Sequence, residues 1–149
     1  MKKKFVTLTI VWLAASIACA AGADRKAGTA DYKAGVEVRQ LLKTMRTTAD
    51  KPIEYLRTDS AEVTALQVRL PPGSETGWHK HTAPGYGYIL AGTLTLEMEG
   101  GKTLRFHAGQ AFAESVDILH NGKNSGTDTL KILVFFTGEK GKPFTVRKE

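Results

Sequence analysis

Cysteine is all but missing from this chain: its one thiol, Cys19, falls near the N-terminus. A lone thiol excludes an intramolecular disulfide, and removal of an N-terminal leader would also exclude thiolate ligands and a cysteine nucleophile. Long helical periodicity is missing too, as is any low-complexity insertion or internal repeat. Beyond the first two dozen residues there is no apolar run long enough to cross a bilayer, which takes roughly 20 residues. Charge of one sign is weak. The formal net charge of +6 includes Lys2, Lys3 and Lys4, and the other basic residues are scattered rather than clustered, so a nucleic-acid-binding face is not expected.

What is present starts with a basic cluster, Met1-Lys2-Lys3-Lys4, followed by an uncharged stretch from Phe5 to Ala23. A basic start, a short apolar segment and the small-x-small runs Ala18-Cys19-Ala20 and Ala21-Gly22-Ala23 describe a secretory signal peptide over residues 1–23. Ser16-Ile17-Ala18 before Cys19 matches a lipoprotein signal only in part, so plain cleavage is the expectation. The mature protein is then periplasmic or secreted, with no stable membrane insertion after cleavage. Residues 24–35 read as a flexible lead-in of Ala, Gly, Lys and Asp, and residues 36–149 as a single domain.

That domain reads as all-β. In Val63 to Leu70 the apolar Leu66, Val68 and Leu70 alternate with Gln67 and Arg69, the period-two pattern of a half-buried strand. Tyr86 to Ala91 forms another strand. Leu94, Leu96 and Met98 alternate with polar neighbours ahead of the turn at Gly100-Gly101, and Leu104 and Phe106 alternate after it. Ala111–Ala113 and Asp117–His120 read as short strands, with Asn121-Gly122 as a turn. Thr129 to Thr137 is apolar on both faces and should be central. Val36 to Lys43 fits a strand or a short helical turn, and the all-β context favours the strand. Short strands punctuated by Gly, Pro and Asn define a sandwich or barrel.

Chemistry concentrates in Gly73 to Gly92, GSETGWHKHTAPGYGYILAG. In an extended chain His79 and His81 share a face, roughly 7 Å apart along the strand. A helix would separate them, and the glycines and Pro84 argue against one. His120, in DILHNGKN, is the natural third ligand. His107 alternates with Leu104 and Phe106 and is expected to be exposed.

The spacings resemble the two motifs of the cupin superfamily, G-x5-H-x-H-x3-E-x6-G and G-x5-P-x-G-x2-H-x3-N. Gly73, His79, His81 and Gly92 match the first, and Gly109, His120 and Asn124 match the second. Ser115 and Asp117 replace the proline and glycine of the second motif, and Gly85 stands where the first has its acidic ligand. The resemblance covers about residues 60 to 138. It implies a small double-stranded β-helix, a jelly-roll barrel, and one divalent transition metal held by His79, His81 and His120.

Three neutral imidazoles suit iron, zinc, nickel or copper. Without the family's carboxylate the ion keeps its full charge and more open positions. Three-histidine cupin sites resemble those of dioxygenases that cleave diketones or aromatic diols, so a small-molecule metalloenzyme of dioxygenase type is the leading expectation. The alternative is a non-catalytic metal- or ligand-binding, sensing module of the periplasm. Glu114 shares strand parity with His120 if no bulge intervenes. It would then serve as a catalytic base, an acceptor behind the ligands or a replacement carboxylate, and otherwise sits on the rim. The substitution Gly85→Glu would, on this alignment, restore the fourth ligand. Gly85 and Gly87 supply special backbone angles or room for a ligand, while Tyr86 and Tyr88 pack or offer hydroxyls to a substrate. Trp78, of opposite parity to His79, suits a cover for the barrel or the subunit contact of a homodimer. The expected partner is a small-molecule ligand or substrate.

Export carries its own test. The mature chain should begin at Ala21 or Asp24, which the intact mass of the protein from its source would show; retention of Met1, or a lipid on Cys19, would overturn it.

Overall fold

The computed structural model describes residue 33 and residues 35–148, in which nine strands and no helix are found. The expected leader, residues 1–23, and most of the lead-in, 24–35, lie outside the described residues. The strands are β1 (Ala61–Leu70), β2 (His79–His81), β3 (Gly85–Ala91), β4 (Thr93–Met98), β5 (Thr103–His107), β6 (Ala111–Ala113), β7 (His120–Asn124), β8 (Leu130–Glu139) and β9 (Thr145–Arg147). They form two antiparallel sheets, ordered β1-β8-β3-β6 and β5-β4-β7-β2-β9. This is the jelly-roll arrangement.

Alternation decides which side chains meet between the sheets. Leu94, Leu96 and Met98 of β4 are buried, as are Leu130, Ile132, Val134 and Phe136 of β8. With Leu70, Ile89 and Phe112 they form the apolar interior. Each such side chain contributes about 1.5–3 kcal/mol on burial. Strand β8 lies between β1 and β3, as its sequence indicates, but its outer face is only half covered, with Phe135 41% exposed.

Tight corners fall where the chain has glycine. Gly92 turns β3 into β4 at φ 79°, and a Cβ there would lie 3.0 Å from the Cα of Leu130, so both conformation and space require glycine. Asn124 locks a second corner. Its amide donates to the carbonyls of Leu70 and Asp128 and its carbonyl accepts from the N–H of Gly126, all while the residue is 1% exposed.

Two expectations are corrected, and one strand is added. Residues 36–43 form no strand; their apolar Val36, Val38, Leu41 and Leu42 are all exposed, so no sheet partner buries them. Asn121-Gly122 is not a turn but the middle of β7, which starts at His120 where a strand end was expected. Asn121 is buried and donates to Glu75, and Gly122 packs under Leu94, where a Cβ would come within 3.2 Å. The break instead falls at Asp117, with φ 56°. Finally, β9 closes the second sheet at its edge beside β2, a strand too short to show a period.

Asn124→Ala would strand the buried carbonyl of Leu70 and remove the partners of the Asp128 carbonyl and the Gly126 N–H. A loss of about 1–3 kcal/mol in chemical denaturation is expected, and an unchanged midpoint would show that the corner does not depend on this side chain.

Candidate metal centre

Strand pairing gathers the three histidines. His79 of β2 lies directly opposite His120 of β7, so their side chains share a face, and His81 follows His79 by one strand period. The ring centroids are 4.4 Å apart for His79–His120, 4.9 Å for His81–His120 and 5.0 Å for His79–His81. One nitrogen from each ring lies within 4.8 Å of the others, a spacing that could hold a metal ion.

The rings are also aimed. His79 Nδ1 is 2.8 Å from the carbonyl of Gly77, and His120 Nδ1 is 2.8 Å from the carbonyl of Ile118. Only a protonated Nδ1 can donate to a carbonyl, which leaves Nε2 of each ring with a free lone pair. His81 Nδ1 meets the hydroxyl of Thr145 at 3.0 Å, and donation there frees its Nε2 likewise. Orientation of ligating imidazoles through the other nitrogen is usual at metal sites. Burial and the neighbouring charges of His120 and His79 push His81 down to about 3, and burial is the main cause of a lowered value at His120. Both rings are thus kept neutral, the form that ligates.

The histidines line a cavity of about 200 Å³ whose apolar wall includes Val68, Leu94, Leu96, Ile132 and Val134. Strand β9, missed from the sequence, supplies its polar rim. Thr145 faces His81 and Arg147 faces His79 across the β2–β9 pairing, and both line the cavity. The run Thr-Val-Arg carries no signal that would have marked it beforehand.

The carboxylate also reaches this cavity. Glu114 N donates to the carbonyl of Gly85 at 2.8 Å, continuing the β3–β6 pairing one step beyond Tyr86–Ala113. Glu114 therefore faces inward because of β6, not because of parity with His120, which the turn at Asp117 breaks. Its Oε1 is 4.0 Å from His81 Nε2, and burial raises its carboxyl to about 7.

Gly85 proves to be a matter of space rather than backbone angle. A Cβ there would stand 2.6 Å from the Phe136 ring and 3.0 Å from Glu114 Cγ, so Gly85→Glu cannot simply restore a ligand. Gly87 is likewise closed by Phe112. Tyr86 and Tyr88 lie on the opposite face of β3 from the cavity-side glycines, and neither lines the cavity. His107 is exposed and bonded to Thr93, away from the cluster. Trp78 is 38% exposed and outside the cavity.

Two curved antiparallel sheets with inward imidazoles from two neighbouring strands define a small β-barrel protein of the metal-binding kind. A cupin domain is matched over residues 66–136, and the chain belongs to the cupin family. It is 37% identical over 78 residues to the β-alanine degradation protein BauB of Pseudomonas aeruginosa PAO1, covering 49% of this chain and 79% of that protein. Among solved structures it resembles the DMSP lyase DddQ of Ruegeria pomeroyi DSS-3, with 25% identity, a TM-score of 0.51 and coverage of 61% of this chain and 44% of the lyase. It also resembles the oxalate decarboxylase of Lactobacillus farciminis in a formate complex, with 20% identity, a TM-score of 0.51 and coverage of 57% and 26%. The chain thus spans less than half the length of these two solved proteins.

Replacing His79, His81 or His120 by Ala should each abolish stoichiometric metal uptake, because three ligands leave none to spare, whereas His107→Ala should retain it. Elemental analysis of the four variants is the check; full metal in any of the first three would remove that histidine from the centre.

Proposed function

We propose that this protein is an exported metalloenzyme that binds one divalent transition metal through His79, His81 and His120 and acts on a small, oxygen-rich molecule that ligates the ion. The observation that carries the reading is the joining of three aimed imidazoles to a cavity of about 200 Å³. The cavity suits a substrate of a few heavy atoms. Its wall is largely apolar, while Arg147 at the rim offers a bidentate guanidinium to a carboxylate. The ion would supply Lewis acidity and a template for two reactants.

Oxygenase chemistry stands first. With iron, three histidines leave coordination positions for both a chelating substrate and dioxygen. For a 1,3-diketone the bond between a carbonyl carbon and the central carbon would break, with one atom of dioxygen ending in each of the two products, a carboxylic acid and a 2-oxoaldehyde. A second reading, an oxygen-independent lyase, is favoured by a specific likeness. The names of BauB and DddQ point to β-alanine and DMSP, both three-carbon carboxylates with a cationic far end, and Arg147 fits the carboxylate of such a molecule.

The test presents β-alanine, DMSP and acetylacetone to the iron-loaded and zinc-loaded protein while oxygen uptake and products are followed. Substrate-dependent oxygen uptake by the iron form is expected, with KM raised about tenfold or more in Arg147→Ala for a carboxylate substrate. Turnover without oxygen would keep the metalloenzyme and replace the oxygenase by the lyase. Tight metal with no turnover of any of the three would make this a binding module instead.

A further inference from the structure

The family's acidic ligand position is empty in this chain, since Gly85 has no side chain, yet a carboxylate occupies that space. In an antiparallel pair, residues directly opposite one another project from the same face with their Cβ atoms about 4.5–5.5 Å apart. Glu114 is the residue opposite Gly85. Its Cγ lies 3.0 Å from where a Gly85 Cβ would stand, so its side chain folds over the glycine into the volume that a side chain at that position would fill. Phe136 closes the remaining space, its ring 4.5 Å from that of His81.

The surroundings of this carboxylate are those of an anion without a counter-charge. The Glu114 side chain is 12% exposed, and its Oε2 is buried without a hydrogen-bond partner. Among the described residues no lysine or arginine forms an ion pair with it, and the basic group that comes within 4.0 Å is the imidazole of His81. Isolated buried carboxylates are costly and are retained where a cation or metal meets them. An ion at the centre of the three imidazoles would supply the missing positive charge.

We propose that Glu114 is the fourth ligand of the metal centre, a carboxylate moved across one strand pairing from β3 to the end of β6. The inference rests on the reading of the three histidines as a metal centre and adds the residue that completes it. Its Oε1 is 4.0 Å from His81 Nε2, within the roughly 4.2 Å that separates two donors each about 2.1 Å from one ion; it stands outside the group formed by the three imidazole nitrogens, so a side-chain rotation would have to bring it to the shared ion. A carboxylate in the first sphere would lower the net charge of the centre. Glycine at residue 85 is then a requirement of the ligand on the neighbouring strand.

Two measurements decide it. In a crystal structure of the zinc-loaded protein one Glu114 oxygen should lie about 2.0–2.2 Å from the ion; a carboxylate held more than about 3.5 Å away overturns the proposal. In solution, Glu114→Gln should weaken zinc binding at least about tenfold in chelator competition, and Glu114→Asp should recover part of that loss. The metal-free Glu114→Gln variant should melt at or above the temperature of the metal-free parent, because the side chain it replaces has a buried oxygen without a hydrogen-bond partner. Unchanged zinc affinity in Glu114→Gln, or a loss of affinity accompanied by a lower metal-free melting temperature, would overturn the role. If the parent itself takes up no metal, the three-histidine reading fails first, a result separate from a bound ion that Glu114 does not touch.

Discussion

His79 and His120 face each other at the single residue pairing between β2 and β7, and the rest of the centre depends on that register. The distance between two imidazoles on separate strands is set by backbone hydrogen bonding before any side chain acts. A slip of one residue on either strand would turn a ring to the outside. Everything around the pairing prevents that slip. The segment before β2 is tied to β7 where the N–H of Thr76 donates to Gly122 and the N–H of Gly122 donates to the Thr76 hydroxyl. Asn121 is anchored to Glu75. The hydrogen bonds at Nδ1 of the three rings then convert a correct register into a correct aim.

The strands flanking the centre divide the work. Strands β4 and β8 contribute the apolar wall, which both holds the sheets together and buries His81 and His120, favouring their neutral form. Burial also raises Glu114, so one environment shifts these two histidines and the acid toward their uncharged states. A divalent ion reverses the preference for both, since it favours the lone pair of the imidazole and the anion of the carboxyl alike. The cost of placing polar groups here is therefore recovered only when the centre is filled.

Much of this was legible in the chain because alternation and turn residues are local signals. Leu66, Val68 and Leu70, then Leu94, Leu96 and Met98, and above all the run of β8, declare their strands and their inward faces without reference to anything distant. His79 and His81 were legible for the same reason, and His120 through a spacing shared with a family. Illegible were the features that depend on contacts across the sheet. Asn121-Gly122 has the composition of a turn, but tertiary burial of the asparagine and the close approach of Leu94 hold it extended. Gly85 looked like a lost ligand because its cross-strand neighbour is far away in the chain. Glu114 was singled out on a continuous parity with His120 that Asp117 interrupts, so its inward direction has a different cause from the one expected. Strand β9 has too few residues to declare a period.

The place of β9 bears on timing. It follows every other strand, yet it pairs with β2 at three residues where β7 pairs at one, and it brings Thr145 to His81. A nascent chain emerging from its N-terminus can assemble the β1–β8 sheet while the ligand strand still lacks its broader partner. The rim residues Thr145 and Arg147 therefore join the cavity last, after the apolar wall supplied by β4 and β8 has been made.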